Sequence, residues 1–307
     1  RYIVLNLTVI KPGFQDLVQD LGRDGYTHLG ISPTGAADKA SMKIANLLLG
    51  NKINDPVIEI TLFGGSYSFD CATTVCFAGS HFPASIKGKE IPFLKPVAVK
   101  QGDILTISGS TSGARCYLAI QNGFNVAKLL ESSSTHLMSK SGGYRGRNFE
   151  LNDKIPFNKP EKRQFPLDLK FAIDYDRSVI RATPGLQFNL FDKPYQKLFF
   201  GKEFTVSHQS NRMGIRINGP KLQKNTSQDI ITEGLPLGAV QVTGSGDSII
   251  TSVDHQTTGG YPKIANVIAA DMHKVGQLRP GDSFTFEHIT MDKAESLYQE
   301  HEAIFKQ

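Results

Sequence analysis

Short apolar runs, alternating or continuous and broken by Gly, Pro, Asp or Ser, dominate the chain. The segments YSFDCATTVCFAG (67–79), DILTISG (103–109), CYLAIQNG (116–123), LKFAIDY (169–175), SVIRATPG (178–185) and FTFEHIT (284–290) are rich in β-branched and aromatic residues, and each reads as a strand. Few helical stretches separate them, so antiparallel barrels or sandwiches are expected rather than a βαβ sheet.

Three segments carry helical periodicity. Asp38 can cap a helix through KASMKIANLLLG, with Met42, Ala45, Leu48 and Leu49 on one face and Gly50 as a left-handed stop. Pro262 suits the first turn of a helix through PKIANVIAADMHKV, with Ile264, Val267, Ile268 and Val275 near one face and Gly276 after it. The last helix follows Asp292, which forms a capping box with Glu295, and is expected to bury Ala294, Leu297, Tyr298, Ile304 and Phe305. All three are amphipathic and are expected to lie on a surface.

The two halves echo each other. VKQGDILTISG (99–109) and LRPGDSFTFEHI (278–289) each place Gly-Asp before period-2 alternation, a turn feeding a half-buried strand. A mainly β protein of two domains follows, residues 1–160 and 161–307, with the charged, Pro-containing stretch NKPEKRQFP (158–166) as the linker.

The chain has 307 residues, enough for two cores. Lys and Arg number 34 against 29 Asp and Glu, but they form no concentrated stripe, which argues against a nucleic-acid partner. Cys71, Cys76 and Cys116 show no C-x-x-C spacing and read as small buried residues in a reducing compartment, so neither a disulfide framework nor a metal site is expected. No run approaches the ~20 apolar residues of a membrane span, and the opening RYIVLNLTVIKPG lacks a signal peptide's apolar core, so a cytoplasmic location without membrane contact is expected.

The densest polar cluster is VDHQTTGGYP (253–262). Ahead of the expected helix, the backbone N–H groups at Gly259 and Gly260 can approach an anion or a developing oxyanion. An ordinary Gly-rich turn with Thr258 or Tyr261 in a structural role is the plain alternative, and His255 reads as a solvent-facing loop residue. In SHQSNRMGIRING (207–219), Arg212, Arg216 and Asn218 share a face if the segment is extended, and Arg212 can clamp a carboxylate or phosphate. Two more loops, 19–38 and 130–147, bring Arg23, Arg145 and Arg147 as candidate cleft residues. The phosphate-loop, dinucleotide-binding, nucleophile-elbow and H-E-x-x-H motifs are absent, which removes a stand-alone ATPase, dehydrogenase, serine hydrolase or zinc hydrolase of those types.

Taken in order, QDLGRDGYTHLGISPTGAADKASMKIANLLLGN, VIEITLFGG, YLAIQNGF, SSSTH with GGYRGR, SNRMGIRINGPKL and GAVQVTGSGDSIITSVDHQTTGGYPKIANVIAADMHKVGQLRPGDSFTF resemble the family that includes allophanate hydrolase subunit 2, KipI antagonist, the C subunit of 5-oxoprolinase and biotin-dependent carboxyltransferase. The resemblance covers nearly the whole chain. It implies a pair of cyclophilin-like β-barrel domains with a few peripheral helices. It departs at Glu131–Thr135, where Ser133 replaces a basic residue of the family pattern, and at Gln121–Gly123.

The resemblance implies one of two activities. One is ATP-dependent opening of 5-oxoproline to glutamate in a 5-oxoprolinase complex, whose KipI-like B subunit (a homologue of allophanate hydrolase subunit 1) joins the A subunit to complete it. The other is carboxyl transfer to urea, with biotin supplied by another protein. A regulatory role binding a KipI-like protein is a third possibility. On this reading the catalytic group is Asp254, Arg212, Thr258, Gly259 and Gly260. Asp254 assists proton transfer, Arg212 holds an anion and the other three hold the negative oxygen. Thr257, Tyr261, Gln241, Arg145, Ser134 and Thr135 are the expected substrate contacts. SMKI (41–44) mimics a biotinylation site, but Lys43 falls inside the first expected helix, so it is not expected to carry biotin.

Overall fold

A computed structural model describes residues 4–166, 169–225 and 230–306. The chain divides into two compact units. The first comprises 1–23 and 34–171, and the second comprises 24–33 and 172–307. The second unit thus borrows a short segment from early in the chain.

The first unit has two sheets. One runs in the order β11 (Lys154–Phe157), β1 (Leu5–Lys11), β4 (Ser66–Phe69), β9 (Ile104–Ile107), β6 (Ala84–Ile86) and β7 (Lys89–Glu90). The other runs β2 (Gln15–Gln19), β3 (Val57–Thr61), β10 (Arg115–Ile120), β5 (Thr73–Gly79) and β8 (Val97–Val99). Leu7, Val9, Tyr67, Leu105, Ile58, Ile60, Leu118 and Phe77 meet in one core between them. The central strands β3 and β10 are buried on both faces, which accounts for their unbroken apolar character. The expected strand at 67–79 is two strands, β4 and β5, separated by a turn.

Helix α1 (Lys39–Leu48) begins where Asp38 was expected to cap it, its carboxylate accepting from Ser41 N at 2.9 Å. It is not a surface helix. Met42, Ile44, Ala45 and Leu48 are buried together with Ser41, Lys43 and Asn46. Its start is anchored by a buried polar chain: Asp38 N donates to Tyr117 Oη at 2.7 Å, and Tyr117 Oη donates to Glu59 Oε2 at 2.9 Å. The polar residues that suggested a solvent face therefore mark a satisfied internal network. The expected linker is also tied down, since Arg163 Nη1 donates to the carbonyls of Leu49 and Gly50 at the end of α1.

The second unit is a closed barrel in the order β12 (Val179–Pro184), β19 (Lys263–Val267), β16 (Ala239–Val242), β17 (Ser248–Thr251), β14 (Gly214–Asn218), β13 (Glu203–Val206) and β20 (Ser283–His288). Ile180, Phe204, Ile215, Ile217, Val240, Ile250, Ile264, Phe284 and Phe286 fill it. A separate ribbon of two short strands, β15 (Glu233–Gly234) and β18 (Thr258–Gly259), stands apart from the barrel sheet. Helix α2 (Lys193–Gly201), not anticipated above, follows Asp192 and carries Pro194 in its first turn.

The helix expected over 262–275 is corrected to strand β19, a 3-10 turn (Ala269–Asp271) and the short α3 (Met272–Gly276). Barrel strands on both sides claim this run: β19 pairs with β12 and with β16, and Lys263, Ile264, Ala265 and Val267 are all buried. A short apolar run fits a doubly flanked strand as well as a helix face, and here pairing decides. The last helix, α4 (Met291–Ala303), is capped by Thr290, whose hydroxyl accepts from Lys293 N at 3.3 Å, rather than by Asp292. Only Phe305, beyond its end, is buried. Residues 169–175 form no strand, and Leu167 and Asp168 lie outside the described residues.

The Gly-Asp echo is physical. Asp103 and Asp282 each accept, through the carboxylate, from the N–H three residues earlier (Lys100, 2.9 Å; Arg279, 3.0 Å), closing a turn that feeds β9 or β20. Asp153 does the same for Glu150 ahead of β11, with Asn152 taking the left-handed position of Gly102 and Gly281.

Candidate functional site

Four neighbouring strands build the floor of the site. Along β14, β17 and β16, Ile215, Ile217, Ile250, Val240 and Val242 point into the barrel, so Gly214, Arg216, Ile249, Thr251 and Gln241 face outward by alternation. The register places Arg216 opposite Ile249, Ile249 opposite Gln241 and Gln241 opposite Lys263. Directly opposed residues share a face, so these four side chains form one row across the barrel wall. A β-bulge between β16 and β19 sets Lys263 opposite Gln241, while Ile264 and Ala265 both remain in the core.

Over this floor lies a cavity of about 470 Å³ within the second unit. Arg216, Ile249 and Gln241 line its base, Asn211 and Met213 one side, and His255, Gln256, Gly259, Gly260 and Tyr261 another. Arg216 is exposed and carries no ion pair among the described residues, so its guanidinium is available to an anion. Gln241 is 8% exposed, and its amide has no hydrogen-bond partner among the described residues. The amide opens onto the cavity, where it can exchange hydrogen bonds with water or a ligand. Gly259 packs against it: a β-carbon at Gly259 would lie 2.7 Å from Gln241 Nε2.

Arg212 and Asp254 form a buried pair in the same unit. Arg212 Nε donates to Asp254 Oδ2 at 2.9 Å and Nη2 donates to Oδ1 at 3.1 Å, with both side chains buried. Asp254 N also donates to Arg212 O at 2.8 Å, so the segments 211–213 and 252–255 are fastened by backbone and side chain together. Arg212, expected as anion clamp, and Asp254, expected as proton shuttle, thus face each other as a buried ion pair, and neither lines this cavity. Arg216, four residues on, is turned outward by alternation and lines the cavity.

His255 is buried, not solvent-facing. Its Nδ1 lies 2.7 Å from the carbonyl oxygen of Gln256, so the neutral ring donates from Nδ1 and keeps an acceptor lone pair on Nε2. Burial pushes its pKa below the ordinary histidine value, outweighing the Gln256 carbonyl and the nearby Asp254 carboxylate. Among the cavity-lining residues, it alone is a base near neutral pH.

The glycines do face the cavity, but through the ribbon. Because 262–267 is extended, Gly259 and Gly260 have no helix N-terminus behind them. Thr258 pairs with Gly234, Gly259 with Glu233, and the Thr257 carbonyl accepts from Leu235 N at 3.0 Å. Thr258 is exposed, and Tyr261, 49% exposed, stands at the rim. Gln256, Asn211, Met213, Leu235 and Ile249 were not singled out from the sequence. Ile249 alone carried a readable signal, through alternation in SIIT.

Ser134, Thr135 and Arg145 belong to the first unit. Ser134 and Thr135, expected as substrate contacts, are fully buried. The hydroxyls of Ser132 and Ser134 and the N–H of Ser133 all donate to Asp20, while Thr135 Oγ1 donates to Val18 O. The Ser133 hydroxyl is buried without a partner among the described residues. Arg145 is exposed, lies 3.7 Å from Asp153 and stacks over Tyr144, beside a second cavity of about 470 Å³ lined by Lys140, Arg147 and Glu150. Lys43 lies in α1 and is 8% exposed.

The second unit, a closed barrel, carries a polar-edged cavity on its outer wall, the usual form of a small-molecule pocket. The chain belongs to the carboxyltransferase domain family, subdomain A and B, which matches over residues 29–288. It is 34% identical to the C subunit of 5-oxoprolinase from Escherichia coli (strain K12), over 98% of this chain and 97% of that protein. It is 33% identical to the urea amidolyase of Saccharomyces cerevisiae, covering all of this chain and 18% of that one. The urea carboxylase of Kluyveromyces lactis superposes with a TM-score of 0.92 at 31% identity, over 99% of this chain and 29% of that chain. The present chain thus spans less than a third of these two larger proteins. No helix among the described residues is long and apolar enough to cross a membrane.

Proposed function

We propose that this chain is one component of an ATP-dependent 5-oxoprolinase acting in the cytoplasm, where it works with a KipI-like B subunit plus the A subunit to open the 5-oxoproline lactam to glutamate. End-to-end similarity to the C subunit of a 5-oxoprolinase supports the reading. The observation that carries it is the convergence of Arg216, Gln241 and the neutral His255 on one cavity. Arg216 binds the substrate carboxylate. The amides of Gln241 and Gln256 offer a donor and an acceptor each, which suits a ring amide with one N–H and one C=O. The backbone N–H of Gly260 meets the carbonyl oxygen as it gains negative charge. His255 Nε2 takes up the proton released when a nucleophile adds to the carbonyl. ATP is consumed by the assembled complex as a co-substrate.

Carboxyl transfer to urea is the second reading, favoured by the close superposition on a urea carboxylase. Urea presents the same N–H and C=O groups, and a biotin carried by another protein would bring the carboxyl group. Lys43 is a buried residue of α1, which supports a biotin carried elsewhere. A purely regulatory role, binding a KipI-like protein, leaves the Gln241 amide and Arg216 without a task. Co-expression with the two partner proteins and a glutamate-release assay tests the proposal: turnover of 5-oxoproline with ATP supports it. Turnover only with urea, ATP and a biotin carrier replaces it with the second reading, and tight partner binding with neither activity replaces it with the third.

A further inference from the structure

The ribbon beside the cavity is fastened to the barrel at one place by charge. Lys263 on β19 carries an ammonium group whose side chain is 4% exposed, and its Nζ lies 2.5 Å from Glu233 Oε1 on β15. Gln187 Nε2 donates to the same oxygen at 2.6 Å. Gln187 in turn grips the backbone of Lys263 from both sides, its N–H donating to Lys263 O and its Oε1 accepting from Lys263 N, each at 3.1 Å. These donors, Lys263 first, hold the Glu233 carboxyl below the usual carboxylate range.

The fastening transmits to the cavity. Glu233 pairs with Gly259 across the ribbon, and Gly259 is the residue that packs on the Gln241 amide. Gln241 is itself the register partner of Lys263. A closed circuit therefore runs Lys263, Glu233, Gly259, Gln241 and back to Lys263, with only its Gly259–Gln241 side facing the cavity. Neither Lys263 nor Glu233 lines the cavity, and the buried ammonium group has the Glu233 carboxylate as its ion-pair partner.

We infer that Lys263 and Glu233 are positioning residues: their ion pair sets the height of the ribbon above Gln241 and so the width of the ligand slot. This rests on the reading of the cavity as the substrate site, but the ion pair and its mechanical effect do not. Loss of the pair frees the ribbon without touching any group that contacts ligand, so binding suffers before chemistry does.

Hydrogen exchange on the full chain without ligand, comparing wild type, Lys263→Met, Lys263→Arg and Glu233→Gln, tests this directly. In Lys263→Met the amides of 233–235 and 257–261 are expected to exchange at least about tenfold faster, while those of β14 and β17 keep their rates. Lys263→Arg restores protection, and Glu233→Gln, which keeps the acceptor and loses the charge, falls between. Unchanged ribbon exchange in Lys263→Met overturns the inference; if that chain does not fold, unchanged ribbon exchange in Glu233→Gln does so. In the reconstituted complex, Lys263→Met is expected to raise KM about tenfold with a smaller change in kcat. A wild-type complex that fails to open 5-oxoproline sinks the functional reading alone, and the exchange data still decide the role of the pair.

Discussion

Arg212 grips Asp254 through two hydrogen bonds of 2.9 and 3.1 Å in a site closed to solvent. Removing one partner of such a pair strips a buried charge of two charge-assisted hydrogen bonds. Asp254→Asn is expected to lose about 3 kcal/mol of folding stability, measured by chemical denaturation. Arg212→Lys keeps the charge but not the planar fork and should lose part of that. An Asp254→Asn chain as stable as wild type would show the pair to be dispensable to the fold.

Arg216, four residues on, predicts the opposite pattern. Its guanidinium is exposed at the cavity, so Arg216→Gln should fold normally. Losing a charge-assisted hydrogen bond to a carboxylate is worth about 1.5–3 kcal/mol, so the KM for an anionic substrate should rise roughly 10- to 150-fold. An uncharged substrate such as urea should be affected far less, which makes the ratio of the two effects diagnostic.

His255 links activity to pH. Its pKa is depressed by burial, so the neutral, proton-accepting ring persists below the ordinary histidine value of about 6.5 and is lost as pH falls further. The kcat/KM profile should show an acidic limb centred below 6.5, and His255→Gln should remove that limb. The same depression means the unfolded chain binds the proton more readily, so this residue's contribution to stability also declines as pH falls below 6.5.

Asp16 has the reverse sign. It is buried, accepting from Gly13 N at 2.6 Å and Tyr67 Oη at 2.8 Å, yet burial outweighs both bonds and raises its pKa to about 6. The folded chain therefore holds a proton that the unfolded chain releases near pH 4. The stability tied to that proton is present below pH 4 and is lost as pH rises to about 6. Asp16→Asn should flatten this component of the stability curve, and the carboxyl carbon of Asp16 should titrate near 6 by NMR.

Much of this architecture could be read along the chain. Glycine and aspartate turns located β9 and β20, and the Asp38 cap located α1, because these signals are local. The clusters at 207–219 and 253–262 do meet at one cavity. What local pattern could not supply was which arginine faces it. Arg212 and Arg216 are equivalent by spacing, and only the bend at 211–213, closed by Asp254, turns one inward. The segment after Pro262 misled for a related reason: its apolar spacing fits a helix, but β12 and β16 supply hydrogen-bond partners on both edges. Ser134 and Thr135 sat in a suggestive loop, yet Asp20, more than a hundred residues away in the chain, occupies Ser134, and the Val18 carbonyl takes the Thr135 hydroxyl.

The row of Arg216, Ile249, Gln241 and Lys263 behaves as a ruler. Its marks stand on adjoining strands of a barrel that has no free edge, each roughly 4.8 Å from the next, and no hinge lies between them. The distance from cation to amide is thereby frozen into the wall. Tuning such a site to a longer or shorter ligand by small steps falls to the arm above it, whose setting a single substitution can change.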